Sequence, residues 1–241
     1  MPIIEIKHLY KTYTGNDRPA VADLCLSVAE GEIFGLLGAN GAGKTTTLSI
    51  LCGLRRYNAG EVNIAGHAVN TDMEAIKPLI GVVPQDFALY PELTAEENLK
   101  IFGGLYGLER KLLADRIGNL LSIFSLYDCR QRRISQYSGG MKRRVNLIAG
   151  LLHHPRLLFL DEPTVGIDVK SRHVIIDNLL KTNAEGCTLV YTSHLMEEAE
   201  TLCRHVALMQ DGRLIAEGDP KQLVADKNAT SLDDLCMTLL K

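Results

Sequence analysis

No stretch of this 241-residue chain carries the roughly 18 consecutive apolar residues needed to span a bilayer. Its start, Met1-Pro2-Ile3-Ile4-Glu5-Ile6-Lys7, lacks the charged-then-apolar pattern of a secretory leader. These absences predict a cytoplasmic chain that reaches a membrane only through a partner. A basic excess is also missing. The formal net charge is −3, which gives no whole-molecule attraction to nucleic acid, and no nucleic-acid partner is expected. The six cysteines, Cys25, Cys52, Cys129, Cys187, Cys203 and Cys236, are scattered without the paired spacing of a zinc site or a redox dithiol, so they read as reduced core thiols. There is no low-complexity linker and no repeat of solenoid length. What remains, 46% apolar and 23% charged, is ordinary globular composition. The length suits one large α/β domain or a core with a small appended subdomain.

Apolar runs at Ile33 to Leu37, Leu79 to Val83, Leu157 to Leu160 and Thr188 to Tyr191 end in polar or glycine-rich breaks and alternate with helical patterns. Short, doubly buried strands separated by helices predict a mainly parallel sheet covered on both faces. Antiparallel additions are expected at the two ends. Ile3 to Leu9 alternates as a strand, and Val206 to Met209 and Arg213 to Glu217 flank the tight-turn pair Asp211-Gly212. The interval from about Phe87 to Pro155 reads as helical, and its first helix opens on the capping box Thr94-Ala95-Glu96-Glu97.

The strand Ile33 to Leu37 runs directly into Gly38-Ala39-Asn40-Gly41-Ala42-Gly43-Lys44-Thr45, with Thr46 and a helical pattern behind it. This is a complete P-loop. Its glycines let backbone N–H groups turn toward phosphates, and the following helix adds its partly positive end. Lys44 is placed to reach the β- and γ-phosphates of ATP, and Thr45 to put a hydroxyl on Mg²⁺. Average composition generates this spacing in about one chain per hundred of this length, and its position between strand and helix makes chance rarer still.

Three further strands end in residues suited to phosphoryl transfer, and in a parallel sheet those ends share one edge. Gln85 follows Leu79 to Val83, Asp161 and Glu162 follow Leu157 to Leu160, and His194 follows Thr188 to Tyr191. Two adjacent carboxylates at a buried strand end are costly unless a cation relieves them. Asp161 fits the metal-organising position, and Glu162 the acceptor of a proton from the attacking water. Gln85 is expected as a water and Mg²⁺ contact, and His194 as a γ-phosphate contact. The expected catalytic set is thus Glu162, His194, Gln85 and Lys44, with Thr45, Gln85 and Asp161 on the metal.

Ser138-Gly139-Gly140 before Met141-Lys142-Arg143-Arg144 is a second helix start able to receive an anion. Taken in order with the P-loop, Gln85, Asp161-Glu162 and His194, it makes nearly the whole chain resemble the ATP-binding-cassette (ABC) ATPases. The resemblance implies that Tyr13 stacks on adenine, that Tyr137-Ser138-Gly139-Gly140-Met141 is the signature reaching a second subunit's ATP, and that Val165-Gly166-Ile167-Asp168 is the D-loop. Tyr10 lies close enough to compete with Tyr13; the family pattern favours Tyr13. Two departures stand out: Tyr137 and Met141 occupy positions where Leu and Gln are commoner.

The resemblance further implies a head-to-tail homodimer with ATP between one P-loop and the partner's signature. It also implies a separate integral-membrane permease, which would hold the chain at the inner face of the cell membrane. The compact carboxyl end and the Val-Gly-Ile-Asp D-loop resemble exporter-associated members. The segment Phe87-Ala88-Leu89-Tyr90 sits where the family receives a coupling helix, unless it is ordinary core. The implied organisation is a P-loop NTPase α/β core at 1–86 and 156–224, a helical signature subdomain at 87–155, and a short helical extension at 225–241. A second reading is a soluble ABC ATPase serving iron–sulfur cluster assembly or another protein-remodelling role. The basic groups Arg130, Arg132, Arg133 and Lys142, Arg143, Arg144 read either as steering or partner contacts or as a solvated helical surface.

Overall fold

The structure is a computed structural model describing residues 2–239, so the first residue of the expected core and the last two of the expected extension lie outside the described residues. Its largest sheet contains β3 (Ile33–Leu37), β6 (Ile80–Val83), β7 (Leu157–Asp161), β8 (Thr188–Ser193), β9 (His205–Gln210) and β10 (Arg213–Gly218). The spatial order is β10-β9-β3-β8-β7-β6. From β9 to β6 every pairing is parallel; only β10 runs antiparallel, through the hairpin after β9.

Alternate side chains of these strands feed two separate cores. Leu37, Leu158, Leu160, Leu189 and Tyr191 point into one, and Phe34, Leu36, Leu157, Phe159 and Val190 into the other. That explains the unbroken apolar runs, because both faces are covered and neither needs polar residues. The first core is roofed by α5 (Gly139–Leu151), α6 (Val169–Ala184), α7 (Met196–Leu202) and α9 (Leu232–Leu239). The second lies beneath α1 (Lys44–Leu51) and a four-stranded sheet of order β2-β1-β4-β5.

That second sheet comprises β1 (Pro2–Lys11), β2 (Val21–Ala29), β4 (Ala59–Ile64) and β5 (His67–Ala68), all antiparallel. The sequence reading places no strand at β2 or β4, yet β2 alternates cleanly: Leu24, Leu26 and Val28 are buried, Asp23, Cys25 and Ser27 exposed. Each inward side chain contributes about 1.5–3 kcal/mol of apolar burial. This parity corrects the reading of the cysteines as core thiols. All six are free, but only Cys187 and Cys203 are buried, and Cys25 stands on the outer face.

Between β6 and β7 the main elements are the helices α3 (Ala95–Leu105), α4 (Arg110–Ile123) and α5. The capping box is present: Glu97 N–H donates to Thr94 Oγ1 (3.1 Å), and Thr94 N–H to Glu97 Oε2 (2.8 Å). One turn on, buried Asn98 accepts from Tyr90 N–H and donates to Tyr90 O, closing the loop that holds Phe87 to Tyr90. Leu89 alone of those four is buried; Phe87 and Tyr90 are exposed. Of the remaining helices, α2 (Met73–Ile76) precedes β6, and α8 (Pro220–Asp226) precedes α9.

Candidate functional site at the carboxyl edge of the parallel sheet

The loop from Gly38 to Gly43 needs glycine for definite reasons. Gly38 has φ +150°, and a Cβ there would sit 2.3 Å from the Met209 carbonyl oxygen. Gly43 has φ +105°, and its Cβ would sit 2.5 Å from the Ala20 carbonyl oxygen. No side chain caps α1, and its first turn carries no acid, so its leading N–H groups are left for an incoming anion. Ala39, Asn40 and Gly41 are exposed on the loop's outer rim, while Ala42 packs inward.

Lys44 is 5% exposed, and its ammonium donates to the carbonyls of Gly38 (2.7 Å) and Ala39 (3.1 Å), both in its own loop. Burial lowers its pKa; the negative charges of Glu162 and Asp161 oppose that shift. A buried cation satisfied by neutral carbonyls beside an uncapped helix start is a fitting seat for phosphate oxygens. Thr45 is exposed next to it. The Tyr13 hydroxyl lies 3.3 Å from Thr46 Oγ1, whereas Tyr10 stays in β1 opposite Ala59.

Of the expected catalytic residues, Gln85, Glu162 and His194 meet directly. Gln85 Nε2 donates to Glu162 Oε2 at 3.2 Å, and His194 Nδ1–H to Oε1 at 3.1 Å. The carboxylate is 6% exposed and keeps a lone pair on each oxygen beyond those two bonds. Glu162 also holds a left-handed backbone, φ +48°, a strained state for a side chain other than glycine that clusters at functional sites. Its N–H donates to both the carbonyl and the hydroxyl of Thr192, each 3.2 Å away.

Thr192 is a residue of this cluster that the sequence reading passes over. Fully buried, it donates its hydroxyl to Asp161 Oδ1 at 2.6 Å while accepting from Glu162 N–H, so one side chain holds the carboxylate of Asp161 and the backbone of Glu162. Pairing β7 with β8 places it opposite Asp161, a relation that no local pattern encodes.

Arg143 is the second such residue, and it corrects the reading of Lys142-Arg143-Arg144 as one steering or solvated group. Arg143 is 4% exposed; its Nη1 donates to Pro84 O (2.8 Å) and Nη2 to Gln85 O (2.7 Å), with the guanidinium 4.8 Å from the Phe87 ring centre. Arg144 is also occupied internally, donating to Phe124 O at 2.8 Å. By contrast, Arg132 and Arg133 are exposed.

Ser138 to Met141 form a separate cluster. Ser138 Oγ accepts from Met141 N–H as the α5 N-cap, and Asp168 caps α6 by accepting from Ser171 N–H. The two helix starts touch: a Cβ on Gly140 would lie 2.1 Å from Ser171 Oγ and 2.8 Å from Asp168 Oδ2. Among the described residues no hydrogen bond joins this cluster to the P-loop. Tyr137 is buried, and its hydroxyl donates to Cys129 O at 2.7 Å.

A triphosphate cradle at a parallel sheet edge, with acid, amide and imidazole converging beside it, defines the P-loop nucleoside triphosphatases. Comparison narrows the class. The family described as ABC transporter matches residues 21–165. The chain is 41% identical over 221 residues to the linearmycin resistance ATP-binding protein LnrL of Bacillus subtilis, covering 92% of this chain and 70% of that protein. It is 40% identical over 224 residues to the Nod factor export ATP-binding protein I of Paraburkholderia xenovorans, covering 93% and 73%. A solved ATP-binding subunit of an ABC transporter superposes with TM-score 0.90 at 29% identity, over 99% of this chain and all of that one. A second solved structure, the cassette MJ0796 as a post-hydrolysis dimer bound to ADP and Pi, gives 0.81 at 28% identity, over 90% and 98%. The chain therefore belongs to the ABC transporter ATP-binding family, and it is an ATP-binding and ATP-hydrolysing subunit of that class.

Proposed function

We propose that this chain is the motor subunit of an exporter: a head-to-tail homodimer, closed by two ATP molecules, driving a separate transmembrane permease at the inner face of the cell membrane. The observation that carries the reading is the Glu162 carboxylate held between Gln85 and His194 beside the Lys44 loop. The naming of relatives for resistance and export systems supports the direction of transport. Among the described residues no helix is long and apolar enough to cross a membrane, in keeping with a permease on another chain. Exposed Phe87 and Tyr90, on a loop braced by Asn98, offer that permease an aromatic docking face. In this reading the core comprises 1–86 and 156–224, the signature subdomain 87–155 and the extension 225–241.

Each residue has a defined task. The loop amides and Lys44 hold the β- and γ-phosphates, and Tyr13 supports the adenine. Glu162 takes the proton of a water as its oxygen bonds to the γ-phosphorus and the bond to the bridging oxygen breaks, releasing ADP. Gln85 orients that water, and His194, bonded to Glu162 through Nδ1, is the γ-phosphate contact. Thr45, Asp161 and Gln85 supply the hard oxygen donors that suit Mg²⁺. When bound, that ion neutralises charge on the β- and γ-phosphate oxygens. Ser138 to Met141 and Asp168 face the second subunit's nucleotide. Shifting such a dimer from 1:99 to 99:1 closed takes about 5.5 kcal/mol of differential binding, which two nucleotides share.

Glu162→Gln tests the site, with turnover expected to fall about 10²- to 10⁴-fold while ATP binding persists. Near-normal hydrolysis removes Glu162 from its role. Ser138→Arg tests the assembly. It should leave monomer ATP binding intact and abolish ATP-dependent dimers in gel filtration; dimers that survive count against the signature assignment. Co-purification of the full chain with a multispanning protein separates the exporter from a soluble assembly ATPase.

A further inference from the structure

On the outer face of the β1–β2 ladder two irregularities lie side by side. Ile6 pairs with Leu26 and Leu9 with Leu24, so Lys7 and His8 together oppose Cys25 alone. Leu9 pairs with Leu24 and Lys11 with Val21, so Tyr10 alone opposes Ala22 and Asp23. These are adjacent β-bulges on opposite strands, a device that re-aims side chains. In each, a residue other than glycine takes a left-handed backbone: His8 at φ +49° and Asp23 at φ +55°. The neighbouring strand is shaped to accept the first bulge. Gly60 of β4 has φ +103°, and a Cβ there would lie 2.4 Å from the His8 carbonyl oxygen.

The two bulges and the outward parity of β2 bring three donors together. His8 Nδ1 is 2.9 Å from Asp23 Oδ1 and 3.7 Å from Cys25 Sγ. One ligand atom from each of the three residues lies within 4.8 Å of the other two, the one cluster of its kind among the described residues. An acid–base relay would use the two different nitrogens of the imidazole, one toward the thiol and one toward the carboxylate. Here the same nitrogen faces both, which is the convergence a metal ion requires. Tetrahedral Zn²⁺, with bonds near 2.0 Å to nitrogen and oxygen and 2.3 Å to sulfur, sets N···O and N···S edges of about 3.3 and 3.5 Å. The two distances from His8 Nδ1 differ from these by a few tenths of an ångström, and the oxygen–sulfur edge, under 4.8 Å, closes by rotamer changes in the exposed Asp23 and Cys25 side chains.

We propose that His8, Asp23 and Cys25 form a binding site for a borderline-soft divalent cation of the Zn²⁺ class. The thiolate and imidazole select against Mg²⁺ and Ca²⁺, which take oxygen ligands. Three protein ligands on an exposed face leave the fourth position to water. None of the three is among the residues proposed for Mg²⁺, and the site gives the exposed Cys25 a task.

Cobalt(II) titration of the nucleotide-free full chain tests this directly. The expected result is one equivalent of tetrahedral d–d absorption together with a thiolate-to-cobalt charge-transfer band, both bleached by Zn²⁺. Cys25→Ser should abolish the charge-transfer band, and His8→Ala should weaken binding at least about tenfold. Both variants should retain wild-type circular dichroism and ATP turnover, and Zn²⁺ should raise the melting temperature of the wild type but not of His8→Ala. A wild type without the band, or a band that persists in Cys25→Ser, overturns the assignment.

Discussion

Replacing Arg143 by Met removes a clamp without changing the apolar length of the side chain very much. The guanidinium donates to Pro84 O and Gln85 O, and such charge-assisted bonds are worth about 1.5–3 kcal/mol each. Two effects reduce the sum. Pro84 O keeps a second donor, Asn146 Nδ2 at 3.2 Å, and burial already disfavours the charged guanidinium, lowering its pKa. A net loss of about 2 kcal/mol follows, equivalent for a chain of this size to a melting temperature lower by roughly 4–8 °C. Turnover should also fall, by roughly tenfold, because an unclamped Gln85 spends less time donating to Glu162, and one hydrogen bond's worth of barrier is about 1.4 kcal/mol. ATP affinity should change little, since among the described residues no hydrogen bond joins Arg143 to the Gly38 to Thr45 loop. Arg143→Lys should not restore activity, because an ammonium lacks the planar fork that reaches both carbonyls. Urea unfolding with an unchanged m-value, paired with single-turnover phosphate release, reads both quantities. Stability within 0.5 kcal/mol of wild type, on the order of an ordinary surface substitution, together with turnover within about twofold, would refute the reasoning.

Thr192→Val keeps the shape but deletes the hydroxyl that Asp161 Oδ1 and Glu162 N–H share; turnover should drop about tenfold with the fold intact, measured by steady-state hydrolysis beside circular dichroism. His153 yields a pH prediction. Burial holds its pKa below the ordinary 6.5, while Nε2–H donates to Ile80 O at 2.8 Å and the ring stacks on Tyr106. The unfolded chain therefore takes up a proton below about pH 6.5 that the folded chain refuses, so this stabilisation is present above that value and lost as pH falls from it toward the lower folded pKa. Unfolding midpoints taken from pH 7.5 to 5.5 should decline less steeply in His153→Gln than in wild type.

The P-loop is legible because its demands are local: Gly38 and Gly43 are required by backbone angles and close carbonyls, and a strand before and a helix behind complete the pattern. Asp161 and Glu162 are legible because two acids ending an apolar strand need an explanation. Gln85 and His194 become readable only through their shared position after parallel strands, and the two contacts with Glu162 give that inference a geometry. Thr192 and Arg143 act through pairings distant in sequence, which is why runs and spacings do not flag them. A signal for Arg143 does exist in the helical period: Gly140, Arg143 and Leu147 fall on one face at i, i+3 and i+7, and all three are buried. Three consecutive basic residues on a helix cannot share one surface. The strand β2 offered a period-2 signal at Leu24, Leu26 and Val28, and reading it would have put Cys25 outside. The paired bulges were out of reach, because a bulge is a property of two strands in register and neither carries it alone.

Helix α5 begins at Ser138, its cap, and holds Gln85 from Arg143, five positions and so about 7.5 Å farther along the same rigid rod. In the proposed homodimer its tip would rest on one subunit's nucleotide while its shaft grips a residue serving the other. A displacement imposed at the tip is then felt at the neighbouring reaction centre with no intervening linkage to absorb it. Each half of the machine would sense whether its counterpart is loaded through a lever less than two helical turns long.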